Sequence, residues 1–461
     1  MFSSVVIDAK LIARYGGNGP RYTSYPTADR FVEAFDASAY RHWLHNRNIG
    51  SHARALSLYI HLPFCNTVCY YCACNKIITR HHERAAPYLA TLAKEAALVS
   101  AELGCDRKIE QIHLGGGTPT FFSDDELREL KGFLSSAFNL SPTGEYSIEV
   151  DPRGVSAERV ATLAELGFNR ISIGVQDFDP EVQRAVNRIQ TVEQTLKVTE
   201  AARRHGFRSV NYDLIYGLPR QTPEGFERTL DLVCSASPDR IALYSYAHLP
   251  TVFMPQRRIA EAQLPPPAVK LALLTRAIER LGAAGYVYIG MDHFAKPDDD
   301  LAVAQRQGRL TRNFQGYSSF GETDTIGLGV SAIGSVGPAY SQNHKELANY
   351  TASIAAGELP VMRGIEASPD DLVRRAVIQS LACHFRVSKE SVSIAHLIDF
   401  DRYFAAEMRE LEIHRNDGLV DIDDEWISVT PAGRLLVRAV CMVFDRYLRE
   451  GQARVRYSRV L

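Results

Sequence analysis

"EYSIEVDPRGVSAERVATLAELGFNRISIGVQ" (145–176) holds a β-rich run (145–152), a helical pattern ending in glycine (156–167) and a second β-rich run (170–176). A glycine that closes a helical pattern just before a strand is the expected C-terminal cap. The same order repeats outward in both directions. Upstream lie "SLYIHLPF" (57–64) and "IEQIHLGGG" (109–117); downstream lie "SVNYDLIYGLP" (209–219) and "RIALYSYAHLP" (240–250). "AAPYLATLAKEAALVSAEL" (85–103) and "TVEQTLKVTEAARRHG" (191–206) read as helices between them. Strands alternating with helices predict βαβ units and a parallel sheet, so the fold class is α/β with a partial (β/α)6 barrel.

The polar residues of these runs collect at their C-terminal ends, in "GGGTP", "EVDP", "GVQD", "YDLIYGLP", "YAHLP" and a cysteine-rich loop. That rim of a parallel α/β fold is where ligands bind, which predicts one active site built from six strand ends. Beyond residue 260 the rhythm changes. "PPPAVKLALLTRAIERLGAAGY" (265–286) reads as a helix entered through prolines, and the Gly/Ser-rich 312–343 as loops lining a site. From residue 368 helices surround one short hairpin. The expected organisation is an N-terminal arm (1–55) covering the active site, the barrel (56–260), a barrel extension with substrate-site loops (261–367) and a mainly helical C-terminal domain (368–461).

With 461 residues, 46% hydrophobic and 23% charged, a sizeable core is expected. A net charge of −2 argues against a dominant nucleic-acid or anionic-membrane surface. No apolar run reaches the ~20 residues that span a bilayer, and the N-terminus does not read as a signal peptide. A cytosolic protein with reduced thiols is therefore expected, and a disulfide knot is disfavoured.

The cysteine-rich loop is "HLPFCNTVCYYCACNK" (61–76), with Cys65, Cys69, Cys72 and Cys74. A structural zinc site normally has two separated Cys-x2-Cys knuckles or a later His pair, and no second knuckle follows. A redox pair would be Cys69 and Cys72, but that motif brings no flanking cysteines. Three thiolates on a four-iron cluster would leave one iron open for a substrate. Cys105, Cys234, Cys383 and Cys441 are scattered among apolar neighbours and read as buried structural thiols.

Cys-x3-Cys-x2-Cys, with Tyr71 beside the last cysteine and "GGGTP" one unit later, resembles the radical S-adenosylmethionine (SAM) superfamily. Further stretches narrow the resemblance: "GPRYTSYPT" (19–27), "CNKIITR" (74–80), "NYDLIYGLPRQT" (211–222), "GMDHFA" (290–295), "RNFQGY" (312–317) and "GVSAIG" (329–334). Together they resemble the oxygen-independent coproporphyrinogen III dehydrogenases of heme biosynthesis. That resemblance implies one 4Fe–4S cluster on Cys65, Cys69 and Cys72, with Cys74 a non-ligand, and two SAM molecules. Reductive cleavage of SAM would give a 5′-deoxyadenosyl radical that removes hydrogen from a propionate β-carbon, after which CO2 leaves and a vinyl group forms.

The family's contacts to the first SAM fall on Tyr59, Tyr71, Gly116, Glu149, Ala247 and Ile333. Those to the second fall on Gly117, Thr118, Gln176, Arg188 and Asp213. Glu149 and Asp213 are expected at strand ends, where a carboxylate accepts hydroxyls or an ammonium, and Arg188 can clamp a carboxylate. Asp151 reads as a helix N-cap. Four substrate carboxylates call for arginines and amides, and Arg21, Arg312 and Gln315 are the candidates. The resemblance further implies coproporphyrinogen III as substrate, a reduced flavodoxin- or ferredoxin-type donor, an unidentified final acceptor and a monomer.

Two rivals remain. A heme chaperone-like paralogue shares the triplet but generally lacks Cys74, the "GPRYTSYPT" arm and "RNFQGY". The C-terminal "DGLVDIDDEWISVTPAGRLLVR", followed by the basic "REGQARVRYSRVL", resembles a winged-helix DNA-binding module, although "DIDDE" puts acid where a wing would meet phosphate.

Overall fold

The structure, a computed structural model, describes residues 5–47, 54–105, 107–321, 323–451, 457 and 459–460. The chain forms two compact units, one from Phe31–Val269 with Glu322–Glu366, the other from Met1–Arg30, Lys270–Gly321 and Ala367–Leu461.

In the first unit six strands run parallel in chain order: β1 (Leu56–Leu62), β2 (Lys108–Gly116), β3 (Asn139–Val150), β4 (Arg170–Gln176), β5 (Ser209–Tyr216) and β6 (Arg240–Ser245). Parallel strands are covered on both faces, so nearly every side chain of β1 is buried. The expected strands are all present, with three ends shifted by three residues or more. β3 starts six residues before the predicted 145, at Asn139. β5 stops at Tyr216, because Gly217 turns at φ +86° and Pro219 cannot extend a ladder. β6 stops at Ser245, short of the predicted 250.

Helices α1 (Ala85–Glu102), α2 (Asp124–Ala137), α3 (Ala157–Glu165), α4 (Pro180–Ala185), α5 (Val192–Arg204) and α6 (Pro223–Ala236) intervene. The two glycines read as caps, Gly167 and Gly206, have φ of +89° and +79°, the left-handed geometry that closes a helix.

Residues 312–343, expected as loops, instead form strands. β7 (Asp324–Leu328) pairs parallel with β1, and β8 (Ile333–Val336), β9 (Ala339–Asn343) and β10 (Val361–Glu366) follow as an antiparallel extension. Two of the glycines there serve close packing rather than looseness. A Cβ at Gly327 would sit 2.7 Å from the Ile333 carbonyl carbon, and one at Gly329 2.6 Å from the His61 carbonyl oxygen. This extension is tied to α1 by the buried carboxylate of Glu95. It accepts from Gly329 N (2.7 Å), Asn343 Nδ2 (2.7 Å) and Tyr350 Oη (2.6 Å).

In the second unit the main helices are Pro369–His384, Lys389–His396, Ala405–Asn416 and Val437–Val443. The predicted hairpin, Val420–Ile422 with Trp426–Val429, gains a third strand, Arg386–Ser388. Asp423 accepts from Glu425 N and Trp426 N, so acid in "DIDDE" closes the hairpin turn. Residues 452–456 of the basic tail lie outside the described residues, as do 1–4 and 48–53 of the predicted arm. Tyr22 and Tyr25 are buried, and Tyr22 Oη donates to Asp445 at 3.0 Å. Arg438 donates to Pro20 O and Arg459 O at 2.9 Å, and also to Gly19 O. The predicted helix after the prolines spans Pro267–Ala283.

Candidate active site

The cysteine loop follows β1, and its backbone is held by bonds that use no cysteine side chain. Phe64–Cys65 pairs in parallel with Ile77–Ile78, closing the loop at its base. Tyr70 N donates to Val186 O at 3.0 Å, and Asn187 Nδ2 to Val68 O at 2.7 Å. The end of β2 packs directly beneath: Gly117 N donates to Leu62 O and Thr118 N to Phe64 O. A Cβ on Gly117 would lie 2.5 Å from the Pro63 carbonyl carbon, so the backbones meet there only because residue 117 is glycine.

Over this floor opens a cavity of about 420 Å³. Its walls come from the cysteine loop and from the ends of β2, β3, β4 and β5; no lining residue comes from β6, so five strand ends, not six, contribute. Cys65, Cys69, Cys72 and Cys74 all line it. Each of the first three has its own polar neighbour. Thr118 Oγ1 donates to Cys65 Sγ (3.4 Å), Arg188 Nη1 to Cys69 Sγ (3.6 Å), and Cys72 is hydrogen-bonded by the Cys74 thiol. Burial pushes the Cys65 thiol up to about 11, whereas the Cys74 hydrogen bond and the nearby Lys76 ammonium lower that of Cys72.

Beside the thiols Asp151 joins two arginines, Arg153 at 2.6 Å and Arg188 at 3.1 Å. It caps the turn Pro152–Gly154 as the sequence suggests, accepting from Arg153 N, but it is also the counter-ion of the site. Burial works to raise its pKa, and the two guanidiniums overcome that and hold it below the usual carboxylate range. Arg188 is buried and its Nε has no hydrogen-bond partner among the described residues.

Across the cavity stand Glu149 and Asp213. Glu149 is held by His113 Nε2 at 3.1 Å, and His113 Nδ1 is bonded in turn to Ser147 Oγ. Burial opposes its charge, but His113 and the Gly116 amide keep it ionised. Asp213 accepts from Ser172 Oγ (2.8 Å) and Asn211 Nδ2 (2.9 Å), yet burial and the neighbouring Glu149 push it up to about 6. It lies within β5 rather than at its end, three residues before Tyr216. Gln176 ends β4 at φ +64°, a left-handed conformation uncommon outside glycine.

Tyr71, Gly116, Gly117, Thr118, Glu149, Gln176, Arg188 and Asp213 thus share one cavity with the three cysteines. Tyr59, Ala247 and Ile333 do not line it. Tyr59 stacks on His113 with ring centroids 5.9 Å apart and so stands behind Glu149. Ala247 is linked to Tyr71 through Gln256 Nε2, which donates to both backbone carbonyls. Ile333 sits on β8, its backbone against Gly327.

The three substrate candidates belong to the second unit. Arg21 pairs with Asp292 at 2.7 Å, and Gln315 N donates to Asn313. Arg312 is buried over the Tyr317 ring, with Nη1 lacking a hydrogen-bond partner among the described residues. Sequence reasoning missed Arg153, Lys76, His113 and Ser172. Of these only Arg153, beside "EVDP", had a positional signal. Of the four cysteines expected to be buried, Cys383 and Cys441 are, Cys234 is half-buried, and Cys105 is exposed in the turn after α1.

Among the described residues no three His, Cys, Asp or Glu side chains gather as ligands of a single ion. Three soft thiols in one loop, each with its own donor, fit a cluster in which every cysteine takes a different iron. The buried, partly unpaired Arg188 fits a carboxylate-bearing partner in the same cavity.

The radical SAM superfamily model matches residues 59–233. The oxygen-independent coproporphyrinogen III oxidase of Pseudomonas aeruginosa is 52% identical over 463 residues, covering all of both chains. That of Escherichia coli is 47% identical over 98% of each. A solved structure of the Escherichia coli coproporphyrinogen III oxidase, described as a radical SAM enzyme, superposes with a TM-score of 0.92 at 45% identity, covering 96% of this chain and 100% of that one. Among the described residues no helix is long and apolar enough to cross a membrane.

Proposed function

Because this chain belongs to the family of oxygen-independent coproporphyrinogen III oxidases, we propose that it converts two propionates of coproporphyrinogen III to vinyl groups, giving protoporphyrinogen IX. Each conversion removes one β-hydrogen atom and CO2 and leaves one electron, which an external acceptor must take. The supporting observation is the cavity that brings three cysteines, an Arg–Asp–Arg chain and two carboxylates of opposite tendency onto one rim.

In this reading Cys65, Cys69 and Cys72 hold a 4Fe–4S cluster, and Cys74 serves Cys72 as a hydrogen-bond donor. When bound, the cluster and SAM supply a reducing electron and a carbon-centred oxidant strong enough to take hydrogen from an unactivated carbon. The residues orient and shield. Glu149, fixed by His113, accepts from an ammonium or ribose hydroxyls. Arg188, backed by Asp151, clamps a carboxylate. Gly116 and Gly117 let a ligand approach the backbone. Two SAM molecules, with Gly117, Thr118, Gln176, Arg188 and Asp213 serving the second, are part of the proposal. Arg312, Arg21 and Gln315 are proposed to meet substrate carboxylates, Arg312 foremost because it is buried with an unsatisfied nitrogen. The donor is a reduced flavodoxin or ferredoxin and the protein acts as a monomer.

Anaerobic protein given dithionite, SAM and coproporphyrinogen III should yield protoporphyrinogen IX, with methionine and 5′-deoxyadenosine formed in step. SAM cleavage with untouched porphyrinogen and tight heme binding would establish the heme chaperone instead.

A further inference from the structure

The second unit carries a cavity of its own, of about 590 Å³, in the size range of small-molecule sites. It is lined from Gln305 to Arg434 by elements of that unit alone. Its floor is aliphatic, with Ala376, Val387, Val392 and Ala395. Arg306, Arg386 and Arg434 stand around it with His384 and His396, and no carboxylate lines it.

The arginines have no ion-pair partners among the described residues. Arg386 lies over the Trp426 ring at 4.9 Å and Arg434 over the Phe385 ring at 4.8 Å, so both guanidiniums are parked on aromatic faces. Arg434 Nε and His384 Nδ1 are buried without a hydrogen-bond partner among the described residues. Burial lowers the Arg434 pKa, and no carboxylate offsets it. Arg306 and Arg386 are open to solvent, but the two buried nitrogens are costly unless something completes them. Ser380 Oγ donates to Arg386 O at 2.7 Å, which fixes the backbone that presents this guanidinium.

We propose that this cavity binds a small organic anion, an apolar or aromatic body bearing a carboxylate or phosphate, with its charge met by Arg386 and Arg434 and its body seated beside Trp426. The winged-helix resemblance of this segment is thereby given a ligand-binding role rather than a nucleic-acid one. The inference does not rest on the proposed decarboxylation.

The chain has two tryptophans, so Trp43→Phe leaves Trp426 as the sole fluorophore of that kind. The probe is 8-anilinonaphthalene-1-sulfonate, an aromatic anion, added to this full-length variant. The expected result is saturable binding of one probe per chain with energy transfer from Trp426. Arg386→Gln with Arg434→Gln, judged folded by circular dichroism, should weaken it about a hundredfold, two lost charge-assisted bonds at roughly tenfold each. Phenyl phosphate and benzoate should displace the probe, the stronger one identifying the head group. Unchanged affinity in the double variant, absence of transfer from Trp426, or equal displacement by inorganic phosphate would each overturn the proposal. Displacement by duplex DNA alone would restore the winged-helix reading.

Discussion

Asp213 and Glu149 are two carboxyls in one cavity with opposite environments. Glu149 has a histidine and an amide on its oxygens; Asp213 has only neutral donors and an ionised neighbour. The folded, ligand-free chain therefore binds a proton at Asp213 more tightly than the unfolded chain does. Its contribution to stability is greatest below the ordinary value of 3.8 and falls away as pH rises to about 6. Asp213→Asn should accordingly raise the melting temperature of ligand-free protein at about pH 8 and leave it nearly unchanged at about pH 4. An increase of equal size at both pH values would show that the substitution acts through packing. At this scale the sequence was most informative where a motif names a residue, as with the three cysteines and Arg188, which the fold brings to one cavity. It was silent on Lys76 and His113, whose roles depend on what the next strand or the loop's far end brings alongside.

At the scale of elements, Glu95 shows how a helix is fastened to a sheet without a ligand. Its carboxyl, pushed up to about 7 by burial, satisfies an amide, an asparagine and a tyrosine from three segments far along the chain. Glu95→Ala would leave Gly329 N and Tyr350 Oη without this acceptor and Asn343 Nδ2 with Gly329 O alone, and we expect a loss of about 3 kcal/mol in urea unfolding, against about 1 kcal/mol for Tyr350→Phe. Equal effects would mean that Gly329 and Asn343 find other partners. The βαβ rhythm was legible because strand and helix periods differ and because glycine ends the helices. The extension at 324–343 was not, because glycine reads alike in a loop and in a strand that packs too tightly for a Cβ. Only the close approaches of Gly327 to Ile333 and of Gly329 to His61 tell the two apart.

Across the whole molecule, each unit is assembled from separated segments, which no local pattern announces. The second unit takes in residues 1–30, whose Tyr22 and Tyr25 are buried there and whose carbonyls satisfy Arg438. Deleting 1–30 should lower that unit's stability by at least ~3 kcal/mol through two lost aromatic cores and an unpaired guanidinium. Unfolding followed by Trp426 should shift while that followed by Trp43, in the first unit, stays put; a common shift would show that the units melt as one. The way the cysteine loop is anchored bears on how such a protein ages. Its fastenings are the two-residue ladder at its base, the Asn187 amide and the Tyr70 amide. None of these bonds uses a thiol, so the loop is expected to keep its shape when the cluster proposed above is lost to air, and iron and sulfide added back should restore it without refolding.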